Sequence, residues 1–477
     1  MTLHGTGLGA LLTGLELVYA IVLATWVVMQ KREPAATLAW VFSLLFLPYL
    51  GFFIFYFFGP RKIRRSESRR RGSYDAVRKA YSPADAQATA ESPHDLSVQL
   101  TRLVQFATGM PLSTCTSIKL LVNGSPKYDA VIEDINAARK HVHMEYYIYA
   151  GDRTGTLIRD ALDAALKRGV TVRLLMDGAG SFGTTDQFLK PLLDAGAELS
   201  IFHPVLRGVP NLRPLLNFRS HRKIVVIDGR IGFTGGINVT DDENDRLNPD
   251  SYFRDLHTRI EGEAVAWMQR IFLEDWHYAS GKTPQGADLF PPEPAGKCAV
   301  QMIPSGPDNS CEPIHRACLA GIHVADKRVW LSTPYFVPTS PALYAISSAA
   351  MRGLDVRVMI PKNSDSKLVD LAARSYYEPL LKAGVRVFEY QPRMLHSKVL
   401  IVDEAFAILG SANFDNRSFR TNFEMSMAVH EKDIVSELEK VWKQDESESM
   451  EVLKDRPRAS FPRRLGEAVA RLASPLL

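Results

Sequence analysis

Two long apolar runs open the chain, one from Leu8 to Met29 and one from Ala35 to Phe58. About 20 apolar residues are needed to cross a bilayer as a helix, and each run is long enough. The first run has no basic segment before it and is followed at once by the second, which favours an uncleaved anchor over a signal peptide. The pattern therefore predicts a two-helix transmembrane hairpin over residues 1–60.

Basic residues follow the second apolar run, where residues 61–71 read RKIRRSESRRR. The segment before Leu8 contains no Lys or Arg, and the turn at residues 31–34 contains two. The positive-inside rule then places the chain after residue 60 in the cytoplasm and the 31–34 turn outside. The basic run also suits anionic lipid headgroups, and we expect it to lie against them.

Beyond a basic and polar linker over residues 61–110, the pattern of the chain repeats. DAALKRGVTVRLLMD at 163–177 has the counterpart SSAAMRGLDVRVMIP at 347–361, and PLLDAGAELSIF at 191–202 has the counterpart PLLKAGVRVFEY at 379–390. Each copy reads strand, helix, strand, helix, strand, strand, because short β-branched and aromatic runs alternate with helical periodicity. This alternation predicts an α/β sheet with helices on its faces.

Two such copies imply two domains. We expect them at residues 111–290 and 291–435, with a helical tail over 436–477 and the two sheets packed about a pseudo-twofold axis. A duplicated binding fold would explain the repeat as well as an enzyme would, so the chemistry of the repeated residues must decide.

Each copy carries the same polar motif: HRKIVVIDGRIGFTGGIN at 221–238 and HSKVLIVDEAFAILGSAN at 396–413. Residues two apart on a strand point to one face, so each His and its Lys point the same way. If the two strand ends meet at the interface, one pocket receives His221, Lys223, His396 and Lys398. The amides of Asn238 and Asn413, each after a Gly-rich turn, can add hydrogen-bond donors.

A pocket of this kind suits phosphoryl chemistry. Two ammonium groups and two amides stabilise a phosphate oxyanion. One imidazole can attack phosphorus while the other protonates the leaving alkoxide and then deprotonates the incoming alcohol. No group of carboxylates or histidines has metal-ligand spacing, and the lysines already supply positive charge, so we expect no metal and no other cofactor.

The overall composition narrows the choice of partner. The formal net charge is only +4 over 477 residues, so charge alone does not indicate nucleic acid. A nuclease should show a basic groove with interleaved aromatics and no membrane spans. The predicted hairpin therefore argues against a nucleic-acid substrate.

The duplicated pattern H-x-K-x4-D-x6-G-[GS]-x-N resembles the signature of the phospholipase D superfamily. The two apolar spans, TPYFVP at 333–338, NFE at 422–424 and the terminal SPLL make the chain similar to bacterial cardiolipin synthases in particular. The resemblance covers nearly the whole chain and implies two phospholipase D-like domains behind a membrane anchor.

That resemblance implies a reaction and its partners. Two phosphatidylglycerol molecules would give cardiolipin and glycerol through a phosphatidyl-histidine intermediate, at a bacterial cell membrane rich in anionic lipids. A membrane-bound phospholipase D hydrolase, or another phosphatidyltransferase, remains the alternative. The resemblance assigns the site to six residues of this chain: His221, Lys223, Asp228, His396, Lys398 and Asp403.

The two aspartates of the motif lie five residues after the lysines, on the opposite strand face, so we expect them to bond backbone. Asp255 in FRDLHTR and Glu424 in NFEMS follow the two motifs at corresponding places, and we expect these carboxylates to orient the imidazoles. Resemblance to the superfamily favours the histidine of the first motif as nucleophile and that of the second as general acid and base.

The first copy also carries an insertion before its motif, roughly LRGVPNLRPLLNF at 206–218. It mixes large apolar side chains with Arg207 and Arg213. We interpret it as a surface that dips into the headgroup region and delivers lipid to the adjacent His221, which also favours that residue as the nucleophile.

Overall fold

The computed structural model describes residues 14, 18–29, 34–46, 64–81, 95–205, 217–455, 459–474 and 477. The described residues up to Phe46, together with Asn217, form one compact unit. The described residues from Arg64 onward, apart from Asn217, form a second unit. The insertion predicted to deliver lipid lies outside the described residues, except for its last two positions.

In the first unit, residues 18–28 and Pro34–Phe46 are helical. Val27 and Leu44 are fully buried, whereas Met29 and Phe46 are 71% and 77% exposed. Within the residues described here, no helix combines the length and the apolarity needed to cross a membrane. Both predicted spans extend into residues that the structure does not describe.

The second unit contains eighteen strands and thirteen helices that the structure describes with definite bounds. The strands are β1 (Ser113–Cys115), β2 (Ser117–Val122), β3 (His141–Tyr146), β4 (Thr171–Asp177), β5 (Glu198–Phe202), β6 (Ile224–Ile227), β7 (Ile231–Gly235), β8 (Leu256–Glu261), β9 (Cys298–Ser305), β10 (Arg328–Ser332), β11 (Phe336–Val337), β12 (Asp355–Pro361), β13 (Arg386–Tyr390), β14 (Val399–Val402), β15 (Phe406–Gly410), β16 (Phe414–Asp415), β17 (Glu424–Val429) and β18 (Ser449–Glu451). The helices are α1 (Arg64–Ala80), α2 (Asp95–Thr108), α3 (Gly124–Ala137), α4 (Arg153–Lys167), α5 (Asp186–Asp194), α6 (Ala264–Ser280), α7 (Pro313–Val324), α8 (Ser340–Met351), α9 (Lys367–Arg374), α10 (Tyr377–Ala383), α11 (Asn416–Arg420), α12 (Lys432–Ser447) and α13 (Phe461–Leu472).

The strands form two large sheets with one topology. The seven-stranded sheet has the order β2-β8-β7-β6-β3-β4-β5, and the nine-stranded sheet has the order β1-β9-β17-β15-β14-β10-β12-β13-β18. Strands β9, β17, β15, β14, β10, β12 and β13 repeat the first order position by position, and β1 and β18 extend the second sheet at its edges. The predicted α/β fold with two repeats is therefore confirmed.

Local sequence explains how each repeat is built. Strands β3, β4 and β5 are parallel, and the helices between them cross back over the sheet. Helix α4 begins where the side chain of Asp152 accepts a hydrogen bond from the backbone of Gly155, and α8 begins at Thr339 in the same way. Strands β6 and β14 are buried throughout, which fits their uninterrupted apolar sequences IVVI and VLIV.

Each repeat has its own hydrophobic core between a sheet face and its helices. In the first repeat, side chains of β3, β4 and β6 pack against α3 and α4, with Val142, Leu174, Val225, Val131 and Leu162 almost fully buried. The second repeat buries the corresponding strands around Val329, Val358 and Leu400. Two separate cores leave the facing strand ends available for polar residues.

The basic run of residues 61–71 has a different environment from the one expected. Helix α1 begins at Arg64, and Arg70 is only 1% exposed. Arg69 and Arg71 beside it are exposed. The expectation that the whole run faces lipid or water is wrong for Arg70, because that side chain points into the protein, where it meets buried carboxylates.

Candidate active site

Short backbone pairings between the repeats position the two histidines. Ser220, just before His221, forms a parallel bridge with Phe423 of the second repeat, and the amide of His221 donates to the carbonyl of Phe423 at 2.8 Å. In the same manner Leu395 pairs with Arg254 of the first repeat, and the amide of His396 donates to the carbonyl of Arg254 at 2.7 Å. Each histidine is thus held beside a strand of the other repeat.

The orienting carboxylates are exchanged between the repeats as a result. Nδ1 of His221 lies 3.4 Å from Oε1 of Glu424, and Nδ1 of His396 lies 2.6 Å from Oδ2 of Asp255. The structure therefore brings Asp255 and Glu424 to the imidazoles, each to the histidine of the opposite repeat. With Nδ1 facing a carboxylate, Nε2 of each ring is the nitrogen left for substrate.

Burial and charge tune these groups. Burial lowers the pKa of His221 below its usual value, although Glu424 opposes the shift. Burial alone would raise the pKa of Glu424, but His221 and Lys223 outweigh it and leave that pKa below its usual value. The pKa of Asp255 is also below its usual value, because Lys398 and His396 lower it by more than burial raises it. Both carboxylates are therefore ionised at neutral pH.

The two lysines lie in the same charged environment. Nζ of Lys223 donates to the carbonyl of His221 at 2.8 Å, and Nζ of Lys398 donates to the carbonyl of His396. Burial lowers the pKa of Lys223 to about 8, with Glu424 opposing the shift and Lys398 adding to it. Burial likewise lowers the pKa of Lys398. Nζ of Lys398 also lies 3.5 Å from Oδ2 of Asp255, the carboxylate of the first repeat that holds His396, so charged groups of both repeats meet at this site.

The two asparagines occupy unequal positions. Nδ2 of Asn238 already donates to Oε1 of Glu243 at 2.6 Å, so one of its two amide hydrogens is taken. Oδ1 of Asn413 is buried and has no hydrogen-bond partner in the described part of the chain. Asn413 lines a small cavity together with Lys398. Of the two amides, that of Asn413 is the less constrained by protein contacts.

The two motif aspartates lie at the far ends of their strands. The carboxylate of Asp228 accepts three backbone hydrogen bonds at 2.8–2.9 Å from residues 139–141, and that of Asp403 accepts three at 2.8–3.0 Å from residues 326–328. Strand β6 separates Lys223 from Asp228 by roughly 16 Å at about 3.3 Å per residue. Both aspartates thus bond the backbone of a neighbouring segment, as expected, and their inclusion among the site residues stays a prediction.

Three possible metal ligands meet in the pocket, although the sequence spacing shows no such group. Glu243, Asp255 and His396 offer ligand atoms within 4.8 Å of one another. These three residues are far apart in the chain, so their spacing in the sequence does not indicate the group, and the expectation of no metal stays a prediction. Oδ2 of Asp255 already bonds Nδ1 of His396 and lies 3.5 Å from Nζ of Lys398, so a lysine ammonium faces one of these three groups.

Several residues of the site were missed from the sequence. The ring of Tyr147 lies 4.0 Å from that of His221, and the ring of Phe253 lies 5.5 Å from that of His396. Glu243 follows Asn238 by five residues, and Ser418 follows Asn413 by the same number. The hydroxyl of Ser418 accepts a hydrogen bond from the backbone nitrogen of Asn413 at 3.1 Å. This shared five-residue spacing could have identified Glu243 and Ser418 from the sequence. The aromatic contacts could not be found in that way, because they depend on the fold.

Comparison with known proteins now decides the family. Residues 131–276 and 319–446 match the family described as cardiolipin synthase, phospholipase D-like domain. Residues 18–60 match the family described as phospholipase D-nuclease N-terminal. This chain belongs to the cardiolipin synthase family. The resemblance inferred from the duplicated motif is confirmed, and each half of the pocket comes from one matched segment.

Relatives in this family match over almost their whole length. Cardiolipin synthase 2 of Bacillus anthracis is 38% identical over 96% of this chain and 90% of its own length. The cardiolipin synthase of Geobacillus sp. (strain WCH70) is 37% identical over 98% of this chain and 95% of its own. A solved phosphatidylserine synthase of Haemophilus influenzae Rd KW20 covers 80% of this chain and 100% of its own, with a TM-score of 0.59 and 16% identity, and so shares the fold.

Proposed function

We propose that this protein is a phosphatidyltransferase that converts two molecules of phosphatidylglycerol into cardiolipin and glycerol. One observation carries the proposal: each of two histidines, with a lysine beside it, is oriented by a carboxylate of the other repeat. The chain's family, whose relatives named above are cardiolipin synthases, supports the choice of substrate.

In the first half-reaction, Nε2 of His221 attacks the phosphorus of one phosphatidylglycerol. The bond from phosphorus to the glycerol headgroup oxygen breaks, and His396 gives that oxygen its proton. In the second half-reaction, a headgroup hydroxyl of another phosphatidylglycerol gives its proton to His396, and its oxygen attacks the phosphorus. The bond from phosphorus to His221 then breaks, which releases cardiolipin and restores both histidines.

The electrostatics support this division of roles. A nucleophilic imidazole must be neutral, and burial lowers the pKa of His221. A general acid must present its proton to the leaving oxygen, and the carboxylate of Asp255, 2.6 Å from Nδ1, orients His396 so that Nε2 faces substrate. Lys223 and Lys398 neutralise the charge that develops on the phosphoryl oxygens, a role often filled by metals. The site needs no other cofactor for this chemistry.

The N-terminal segment is proposed to be a two-helix membrane anchor in a bacterial cell membrane, with the catalytic repeats in the cytoplasm. The helices of residues 18–28 and Pro34–Phe46 support it, because large apolar side chains such as Val22 at 60% and Phe42 at 53% are exposed rather than packed. The match of residues 18–60 to an N-terminal family model supports it as well. Such an anchor gives the enzyme access to anionic lipids. The proposed reaction involves no nucleic acid.

The test is to incubate full-length protein in lipid nanodiscs with phosphatidylglycerol labelled separately in its glycerol headgroup and its acyl chains. We expect cardiolipin with one free glycerol for each cardiolipin, and loss of both products in His221→Ala but not in His323→Ala, an exposed histidine of α7. Phosphatidic acid as the dominant lipid product with phosphatidylglycerol in excess would instead identify a hydrolase, in which water outcompetes the lipid acceptor.

A further inference from the structure

Helix α1 carries a buried cation that contacts both repeats. The guanidinium of Arg70, 1% exposed, forms an ion pair with Asp275 of α6 in the first repeat. Its Nε donates to Oδ2 of Asp308, just after β9 in the second repeat, at 3.2 Å. Tyr74, one turn further along α1, donates to the same oxygen at 2.8 Å. Arg70 therefore joins the start of the second unit to both catalytic repeats.

One line of contacts leads from Arg70 to the residues that flank the nucleophile. The other carboxylate oxygen of Asp275 binds Arg222, which lies between His221 and Lys223. Nε of Arg222 donates to the backbone carbonyl of Glu424 at 3.1 Å. Asp275 thus pairs with two arginines. One of them, Arg222, also bonds the backbone of Glu424, whose side chain orients His221.

A second line of contacts reaches the same place by packing. Cζ of Arg70 lies 4.9 Å from the ring centroid of Phe423, within the range of a cation–π contact. The carbonyl of Phe423 accepts the hydrogen bond from the amide of His221, and Phe423 immediately precedes Glu424. Both partners of the His221–Glu424 pair therefore have their backbones fixed by groups that Arg70 touches.

We propose that Arg70 is a positioning residue for catalysis, which sets the relative placement of His221 and Glu424 through Asp275, Arg222 and Phe423. The proposal rests on the proposed function only in taking His221 as the reacting group. Because a displacement of about 1 Å far from the chemistry can lower a rate about 10²-fold, a remote arginine of this kind can control turnover without touching substrate.

The charges of the cluster allow positioning to be separated from stability. Arg70 and Arg222 pair directly with two carboxylates, Asp275 and Asp308, and all four side chains are almost fully buried. Two more carboxylates are buried nearby: Glu274 pairs with Arg270, and Glu145 accepts a hydrogen bond from Ser220. Removing Arg70 alone leaves an excess buried negative charge, which destabilises a fold. Removing the carboxylate of Asp308 as well restores the balance, with Arg222 still paired to Asp275, but does not restore the contact with Phe423.

The experiment compares Arg70→Met, the double variant Arg70→Met with Asp308→Asn, and Arg71→Met as the matched exposed control, all as full-length protein in nanodiscs. Melting temperature, kcat, KM for phosphatidylglycerol and the pH profile of kcat/KM are measured. We expect Arg70→Met to lower both the melting temperature and kcat, the latter by about 10²-fold. The double variant should recover the melting temperature while kcat stays low and KM changes by less than about twofold.

The pH profile gives a readout that a purely structural role would not move. Glu424 raises the pKa of His221, so a His221–Glu424 pair that is no longer held in place should lower that pKa, and the acidic limb of kcat/KM should shift to lower pH in Arg70→Met. Recovery of kcat together with melting temperature in the double variant would overturn the proposal, as would wild-type kcat in a folded Arg70→Met. If Arg70→Met does not accumulate, Arg70→Lys is measured instead. Lysine keeps the charge but lacks the planar guanidinium that reaches both carboxylates. An unchanged kcat in Arg70→Lys would also overturn the proposal.

Failure of the proposed function would be seen separately. If the wild-type protein yields phosphatidic acid, it is a hydrolase and the proposed transfer reaction is wrong. The positioning role of Arg70 is then still tested, by comparing the hydrolysis rates of the Arg70 variants with that of Arg71→Met.

Discussion

Nδ1 of His396 lies 2.6 Å from Oδ2 of Asp255, a residue 141 positions earlier in the chain and in the other repeat. The reciprocal pair joins His221 to Glu424 at 3.4 Å. Neither repeat therefore holds a complete site: each supplies a histidine and a lysine, and each borrows the carboxylate that orients its imidazole. In the proposed mechanism the two repeats act as one catalytic unit.

This exchange predicts which half-reaction each carboxylate serves. Asp255→Asn should impair His396, so the phosphatidyl-enzyme should form but break down slowly. Glu424→Gln should impair His221, so attack should slow and little adduct should accumulate. Each change should lower turnover by about 10²-fold or more, as for loss of acid–base function. Rapid-quench measurement of adduct against product separates the two.

An exposed carboxylate change, Glu437→Gln on α12, is a suitable control and should leave turnover unchanged. Accumulation of adduct in Glu424→Gln and not in Asp255→Asn would mean that each carboxylate serves the histidine of its own repeat.

The sequence predicted a large part of this site and missed the rest for a physical reason. The motif gave both histidines and lysines, and the corresponding positions of Asp255 and Glu424 indicated their role. Their exchange depends on the bridges Ser220–Phe423 and Leu395–Arg254, which join residues far apart in the chain and leave no periodic signal.

The fold shows the same limit. Alternating strands and helices predicted two α/β sheets, because local periodicity reports which face of an element is buried. The burial of Arg70 could not be predicted from the sequence. A basic run has the composition of a surface segment, and the carboxylates that pair with Arg70 in the fold are distant in the chain. The same holds for the meeting of Glu243 with Asp255 and His396.

The lysines predict a pH dependence. Burial lowers the pKa of Lys223 to about 8, so this ammonium loses its proton, and its ability to neutralise the phosphoryl oxygens, as pH rises through that value. We expect kcat/KM to fall on the alkaline side near pH 8, since this parameter reports groups of the free enzyme. Burial lowers the pKa of His221, so the acidic limb should lie below the usual histidine range.

The variant Lys223→Arg tests the assignment, because arginine stays protonated throughout this range. Its rate should be lower but without the alkaline limb, whereas Lys140→Arg at the exposed surface should keep it. Persistence of the limb in Lys223→Arg would assign it to another group.

Metal removal should leave the rate unchanged. Nζ of Lys398 lies 3.5 Å from the carboxylate oxygen of Asp255 that also bonds His396, so the proposed mechanism takes its positive charge from lysine. Turnover is measured after dialysis against a chelator and again after addition of Mg²⁺, Mn²⁺ or Zn²⁺. Loss of activity that one particular metal restores would show that Glu243, Asp255 and His396 bind an ion during catalysis.

The anchor predicts a membrane topology. Reporters fused after residue 72 should be active in the cytoplasm, and reporters inserted in the 31–34 turn should be active outside, because basic residues remain inside. A reporter after residue 72 that is active only outside the cytoplasm would reverse the orientation and place both repeats on the opposite face of the membrane.

The most direct test of the proposed mechanism is to trap the covalent intermediate and map it. Full-length His396→Ala is mixed briefly with phosphatidylglycerol, quenched, digested and examined by mass spectrometry, with His221→Ala and the wild-type protein in parallel. Attack by His221 does not require His396 to be present, but release requires its base form, so we predict a phosphatidyl group on His221 that persists in His396→Ala and is absent from His221→Ala. A phosphatidyl group on His396 in the wild-type protein, or an adduct that still forms in His221→Ala, would contradict the mechanism.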